Sequence, residues 1–77
     1  MTQLYVKGLS GNTITLPVGL DTSVRDFKEM IYEKEKVDPE RQILLWGGIT
    51  LEDNRTLRES DLYDGTTVSI ILREMEK

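Results

Sequence analysis

The chain has 77 residues, 38% of them hydrophobic, and a net charge of -4, which fits one small domain whose acidic surface repels nucleic acid. It contains neither cysteine nor histidine, so we expect no disulfide, no metal or cofactor site and no enzymatic activity. No stretch approaches the roughly 18 apolar residues of a membrane helix and no signal peptide is visible, so we expect no membrane partner and a location in the cytoplasm or the nucleus.

The first predicted unit is a β-hairpin. Apolar and polar side chains alternate over residues 4–7 and again over 13–18, as half-buried strands require. The connection at 9–12 contains turn residues, with Gly11 free to adopt positive φ. Pro17 cannot donate a ladder hydrogen bond, which predicts an edge position for the second strand. The side chains expected to face inward are those of Leu4, Val6, Ile14, Leu16 and Val18.

A helix is predicted after Ser23, which is a favourable N-cap, with Asp26 at the positive end of the helix dipole. The apolar side chains recur at helical spacing and are Val24, Phe27, Met30 and Ile31. The polar face is expected to comprise Arg25, Lys28, Glu29, Glu33, Lys34 and Glu35. Pro39 ends the helix, because a residue before proline is pushed out of the helical region.

Three further strands are predicted, at 42–46, 49–51 and 67–72, with Gly47 and Gly48 forming the turn between the first two. We interpret Trp46 as a half-buried core residue, with an extra binding contact as the alternative. In the last strand, the side chains expected to face inward are those of Val68, Ile70 and Leu72. One helix against one sheet is the α+β solution for a chain of this length.

The connection between the fourth and fifth strands is polar and charged. Leu57 and Leu62 are expected to anchor it to the core, and Asp64 with Gly65 supplies a turn before the last strand. The predicted order is therefore strand, strand, helix, strand, short strand, strand.

In that order and without insertion or deletion, the residues resemble the ubiquitin family over the whole chain. The matching strings are Val6-Lys7, Gly11, Thr13-Ile14-Thr15-Leu16, Val18, Lys34-Glu35, Leu51-Glu52-Asp53, Arg55-Thr56-Leu57 and Leu72-Arg73. The resemblance implies one ubiquitin-like domain over 1–77 with the α+β fold called the β-grasp. That fold is a ββαββ unit with a mixed sheet packed on one amphipathic helix, the first and last strands lying parallel at the sheet's centre.

The C-terminal residues depart from the conjugated members of the family. Those proteins end in two glycines, which their activating enzyme adenylates, whereas Glu76 and Lys77 occupy the matching positions here. Their side chains would obstruct the narrow channel that the tail must enter, so the chain is expected not to be conjugated. Four lysines of the family are also replaced, by Asn12, Met30, Ile49 and Asp64.

The resemblance also implies a partner-binding aliphatic patch on the sheet. The matching positions are Leu9, Leu45 and Ile71, with Gly48 beside them. Strand alternation independently places Leu45 and Ile71 outward, whereas Leu9 rests on the resemblance alone. Ile43 and Ile49 stand where the family carries an arginine and a lysine, so we expect a larger and less charged patch. Contiguous exposed apolar surface usually marks an interaction site.

Lys7 and Arg73 are expected at the rim of this patch, where they suit a partner helix with an apolar stripe and acidic flanks. The partners that the resemblance implies are ubiquitin-binding helical motifs, proteasome receptors and deubiquitinase-like enzymes. The leading hypothesis is therefore a non-conjugated interaction module of the ubiquitin–proteasome pathway. The alternatives are a covalent modifier whose Gly-Gly end is missing or altered, and a scaffold module without a ubiquitin-pathway partner. Weak self-association through the patch is a further hypothesis.

Overall fold

In the computed structural model, which describes residues 2–73, the chain begins with the predicted hairpin. Its strands are β1 (Gln3–Lys7) and β2 (Thr13–Pro17), which pair antiparallel. Gly11 has a φ of 92° in the connecting turn, a conformation that glycine adopts without a steric cost. β2 lies at one edge of the sheet, as its proline predicted.

The helix α1 (Val24–Glu35) begins where the sequence predicted. The Ser23 hydroxyl accepts a hydrogen bond from the Asp26 N–H at 3.1 Å, which satisfies one of the unpaired N–H groups of the first turn. The helix ends before Pro39, because Lys36 adopts a left-handed conformation with a φ of 59° and its N–H donates to the Tyr32 carbonyl. A 3₁₀ turn at Pro39–Arg41 then leads into the next strand.

The remaining strands are β3 (Gln42–Trp46), β4 (Ile49–Thr50) and β5 (Thr67–Leu72). They complete a five-stranded sheet in the order β2-β1-β5-β3-β4. The first and last strands are parallel neighbours at its centre, with Val6 opposite Val68, and the other pairs are antiparallel. This is the mixed sheet of the ubiquitin-like β-grasp, so the predicted fold class is confirmed.

The core lies between the inner face of the sheet and α1. Its buried side chains are Leu4, Val6, Leu16, Val18, Val24, Phe27, Ile31, Leu44, Leu51, Leu57, Leu62, Val68 and Ile70. Leu57 and Leu62 are among them, so the prediction that they anchor the long connection is confirmed. Trp46 is half-buried and packs against this core, as expected.

Two side chains lie elsewhere than the sequence predicted. Lys28 was assigned to the polar face of α1 but is buried, because its Nζ meets the Asp53 carboxylate across the fold at 2.7 Å. Leu72 was assigned to the inner face but is exposed. Its cross-strand partner is the buried Gln42, whose side-chain amide donates to the carbonyls of Lys28 and Val37, so the interior here is polar.

Candidate protein-interaction site

The register of β3 against β5 sets which side chains meet on the outer side of the sheet. Ile43 lies directly opposite Ile71, and Leu45 lies opposite Ser69. Paired residues share a face with their Cβ atoms about 5 Å apart, so the three aliphatic side chains are neighbours. We call Ile43, Leu45 and Ile71 the aliphatic face.

The aliphatic face is open to solvent. Ile71 is 45% exposed, and Ile43 and Leu45 are partly exposed. The alternate residues of the same strands, Leu44 and Ile70, are buried in the core. Strand alternation therefore explains the surface: both strands are apolar on their two sides, but α1 covers only one of them.

Basic side chains border the aliphatic face. Lys7 on β1 lies opposite Ser69 on β5, and its side chain is exposed. At the far end of β5, the Arg73 N–H donates to the Arg41 carbonyl at 2.7 Å, and the Arg41 Nε donates to the Arg73 carbonyl at 3.4 Å. Arg41 therefore adds a basic residue that the sequence analysis did not assign to the site. The one feature of the sequence that could have predicted this position is that Arg41 directly precedes β3.

Leu9 is exposed in the turn between β1 and β2, which a hydrogen bond from the Gly8 N–H to the Asn12 carbonyl closes. Because β1 and β5 run parallel with Lys7 opposite Ser69, this turn leaves the sheet at the end where Ile71 lies. The topology thus brings Leu9 to one margin of the aliphatic face.

The tight turn after β3 separates two of the predicted positions. Gly47 and Gly48 have φ values of 59° and 79°, the positive pair that a type I′ hairpin turn requires. Across this turn Trp46 pairs with Ile49, and Leu45 pairs with Thr50. Gly48 therefore lies at the end of the hairpin, while Ile49 lies on the Trp46 side of β4 and away from the aliphatic face.

Other kinds of site find no support in the described part of the chain. No group of three or more Asp, Glu, His or Cys residues among residues 2–73 is arranged to hold a metal ion. Over the same residues, no helix has the length and apolar content to cross a membrane. Glu76 and Lys77, on which the expectation about conjugation depends, lie outside the described residues.

Comparison with known proteins agrees with this architecture. The model of the ubiquitin family matches residues 4–75. Ubiquilin of Dictyostelium discoideum is 31% identical over 71 residues, covering 92% of this chain and 14% of that protein. Human ubiquitin-like protein 4A is 31% identical over 75 residues, covering 97% and 48%. The ubiquitin-like protein NEDD8 of D. discoideum is 28% identical over 69 residues, covering 90% of each chain.

The chain thus spans less than half the length of the ubiquilin and of ubiquitin-like protein 4A. The family match, in contrast, runs through all five strands and the helix. The chain belongs to the ubiquitin family.

Proposed function

We infer that the chain is a non-conjugated ubiquitin-like interaction module that docks ubiquitin-binding or proteasome-pathway proteins through the aliphatic face. The observation that carries this proposal is the register that gathers Ile43, Leu45 and Ile71 on the uncovered side of the sheet. Such a contiguous apolar surface has no role in closing the core, and surfaces of this kind usually bind another protein.

The expected partner element is an amphipathic helix. The aliphatic face lies on the uncovered side of the sheet, so it suits an apolar stripe laid across it. The basic rim formed by Lys7, Arg41 and Arg73 suits acidic residues beside that stripe. Complete burial of an aliphatic side chain contributes about 1.5–3 kcal/mol. Ile71 is 45% exposed, so burying the exposed part on binding contributes about half of that value, roughly 1 kcal/mol. Each such contact is modest, and the affinity is expected to be moderate.

The test is the affinity for a fluorescently labelled synthetic helix with an apolar stripe and glutamates on both flanks, measured by anisotropy. Leu45→Asp places a charge in the contact and is expected to abolish binding. Thr15→Asp is the matched control, because Thr15 is exposed on the same side of the sheet but on the edge strand β2. This control is expected to bind like the original chain.

Thermal unfolding separates loss of the surface from loss of the fold. Leu45→Asp is expected to keep a cooperative transition, since Leu45 does not belong to the buried core. Ile71→Asp, at a more exposed position, gives a second variant should Leu45→Asp unfold. Undiminished binding by a folded Ile71→Asp variant would contradict the proposal.

The relatives favour a module that is part of a longer chain, because ubiquilin and ubiquitin-like protein 4A are longer than this chain. We further propose that this larger protein lies in the cytoplasm or the nucleus. A denaturing blot of fractionated cells with an antibody against the domain tests this assignment. One discrete band well above the mass of the domain is expected, in the cytoplasmic or the nuclear fraction. A ladder that collapses on treatment with a deconjugating protease, or a band confined to the membrane fraction, would contradict the assignment.

The match to NEDD8 over 90% of both chains favours a second candidate, a separate ubiquitin-like modifier. Its C-terminal chemistry distinguishes the two. A modifier must form an acyl-adenylate at a terminal glycine, whereas Glu76 and Lys77 stand at the matching positions here. ATP–pyrophosphate exchange with the activating enzymes for ubiquitin and for NEDD8 is expected to stay at background for this chain, with ubiquitin and NEDD8 as the positive controls.

A further inference from the structure

A second apolar surface lies away from the aliphatic face. Ile49 and Tyr63 are the two most exposed large hydrophobic side chains among residues 2–73, at 69% and 59%. Both adjoin Trp46: Ile49 is its cross-strand partner, and the Tyr63 ring meets the indole edge-to-face with centroids 5.8 Å apart. The half-buried indole thus connects two exposed apolar groups that the core does not need.

A groove of about 350 Å³ runs beside this cluster. Trp46, Ile49 and Leu51 contribute its apolar lining, and Glu59 and Asp61 contribute carboxylates. We call this feature the Trp46 groove. It is formed by the β3–β4 hairpin and the connection that precedes β5, so none of the aliphatic face contributes to it.

The Trp46 groove carries uncompensated negative charge. Its one basic residue, Arg55, is engaged with Glu52, their Nε and Oε2 atoms lying 3.3 Å apart. Among the described residues, Glu59 and Asp61 form no salt bridge. The backbone fixes Glu59, because its carboxylate accepts from the Thr56 N–H at 2.9 Å while its own N–H donates to the Thr56 hydroxyl at 3.0 Å.

We propose that the Trp46 groove docks a basic segment of a second protein, with an aliphatic side chain of that segment packed against Trp46 and Ile49. Lysine or arginine beside that anchor residue would pair with Glu59 and Asp61, and the net charge of -4 would add long-range attraction. The aliphatic face has the opposite preference, since Lys7 and Arg73 border it. The two surfaces therefore select different partners, and the domain can hold both at once.

The test is a backbone amide NMR titration of the isotope-labelled chain with the synthetic peptide acetyl-Lys-Arg-Leu-Lys-Arg-amide. Saturable shifts are expected at 46–51 and 59–63, and they should shrink when serine replaces the leucine of the peptide. Ile49→Ser is expected to weaken binding about tenfold, because it removes the apolar contact without adding a charge that would attract the basic peptide. Ile71→Ser, the matched change on the aliphatic face, is expected to leave the peptide affinity within about twofold.

A charge variant tests the two carboxylates of the groove separately. Glu59→Gln combined with Asp61→Asn removes two charges, while glutamine still accepts from Thr56 and asparagine tolerates the positive φ of 68° at residue 61. The double variant is expected to bind the peptide about threefold or more weakly and to lose most of the salt dependence.

Shifts centred on Ile43, Leu45 and Ile71, or unchanged affinity in Ile49→Ser, would overturn the proposal. So would the same shifts on raising the protein concentration without peptide, which would assign the groove to a second copy of the chain. The paired serine variants keep the two proposals distinct. Weaker binding of the glutamate-flanked helix by Ile71→Ser alone concerns the aliphatic face, and weaker binding of the basic peptide by Ile49→Ser alone concerns the Trp46 groove.

Discussion

The ion pair between Lys28 and Asp53 yields a quantitative prediction, because its two partners are buried unequally. The Lys28 side chain is 7% exposed and that of Asp53 is 48% exposed, and the Nζ and Oδ1 atoms lie 2.7 Å apart. Asp53→Ala leaves an ammonium group in the interior without its partner. Lys28→Met leaves a carboxylate that already faces water and keeps the buried methylene chain. Both variants break the same ion pair, but Asp53→Ala is expected to lower the free energy of unfolding more than Lys28→Met does.

The structure sets the scale of the difference. Leaving one charge of a fully buried pair uncompensated costs about 3–5 kcal/mol, and breaking an exposed pair costs about 0–1 kcal/mol. The Lys28–Asp53 pair is intermediate, so Asp53→Ala is expected to lower the free energy of unfolding by about 2 kcal/mol. Lys28→Met is expected to change it by less than about 1 kcal/mol. For a chain of 77 residues, 2 kcal/mol corresponds to a fall in Tm of about 8–16 °C.

Urea unfolding at neutral pH, followed by the fluorescence of the single tryptophan, Trp46, measures both changes. Arg55→Met is the control, since it breaks the exposed pair with Glu52 and is expected to shift stability by less than about 0.5 kcal/mol. Lys28→Met proving as destabilising as Asp53→Ala would refute the argument from unequal burial.

The two caps of the helix and the turn between β3 and β4 give further predictions, all measured by the same urea unfolding. Lys36→Gly is expected to stabilise the chain by about 1 kcal/mol, because glycine adopts the left-handed helix cap without strain; no gain would contradict that conformation. Ser23→Ala is expected to cost about 1 kcal/mol through loss of the N-cap hydrogen bond. Gly47→Ala, at a φ of 59°, is expected to cost about 1 kcal/mol, whereas Gly19→Ala, without positive φ, should not destabilise. Equal costs at the two glycines would be inconsistent with the type I′ turn.

The parts of the fold that follow from local chemistry could be predicted. Pro17 lacks the N–H that an interior strand needs, and β2 is an edge strand. Ser23 caps the helix through a hydrogen bond with Asp26, only three residues further along the chain. Gly47 and Gly48 permit the positive φ values of a two-residue turn. At each of these positions the deciding interaction lies within a few residues of the chain.

Most of the positions at which the structure differs from the sequence-based prediction depend on residues far away in the chain. Helical periodicity put Lys28 on the polar face, but Asp53 on a remote turn draws its ammonium inward. Pro39 predicted a helix that ends just before it, yet Lys36 terminates α1 in a left-handed conformation that only glycine or asparagine would have signalled. Leu72 follows the inward alternation of β5 but meets the buried amide of Gln42 instead of apolar side chains.

The candidate site shows the same division. Alternation alone placed Leu45 and Ile71 outward, and the register then paired Ile43 with Ile71. Ile49 was expected in the same patch but lies on the other side of the sheet. The turn before it is two residues long, which pairs it with Trp46 rather than with Leu45. Without that register, the sequence could not separate the aliphatic face from the Trp46 groove.

The most direct test of the docking account is a map of amide shifts in the isotope-labelled chain during titration with a purified proteasomal ubiquitin receptor. We predict saturable shifts that centre on Lys7, Ile43, Leu45, Ser69 and Ile71 and that disappear in Ile71→Asp. Shifts confined to α1 or to the edge strand β2, or a receptor that leaves the aliphatic face unchanged at saturation, would contradict the account.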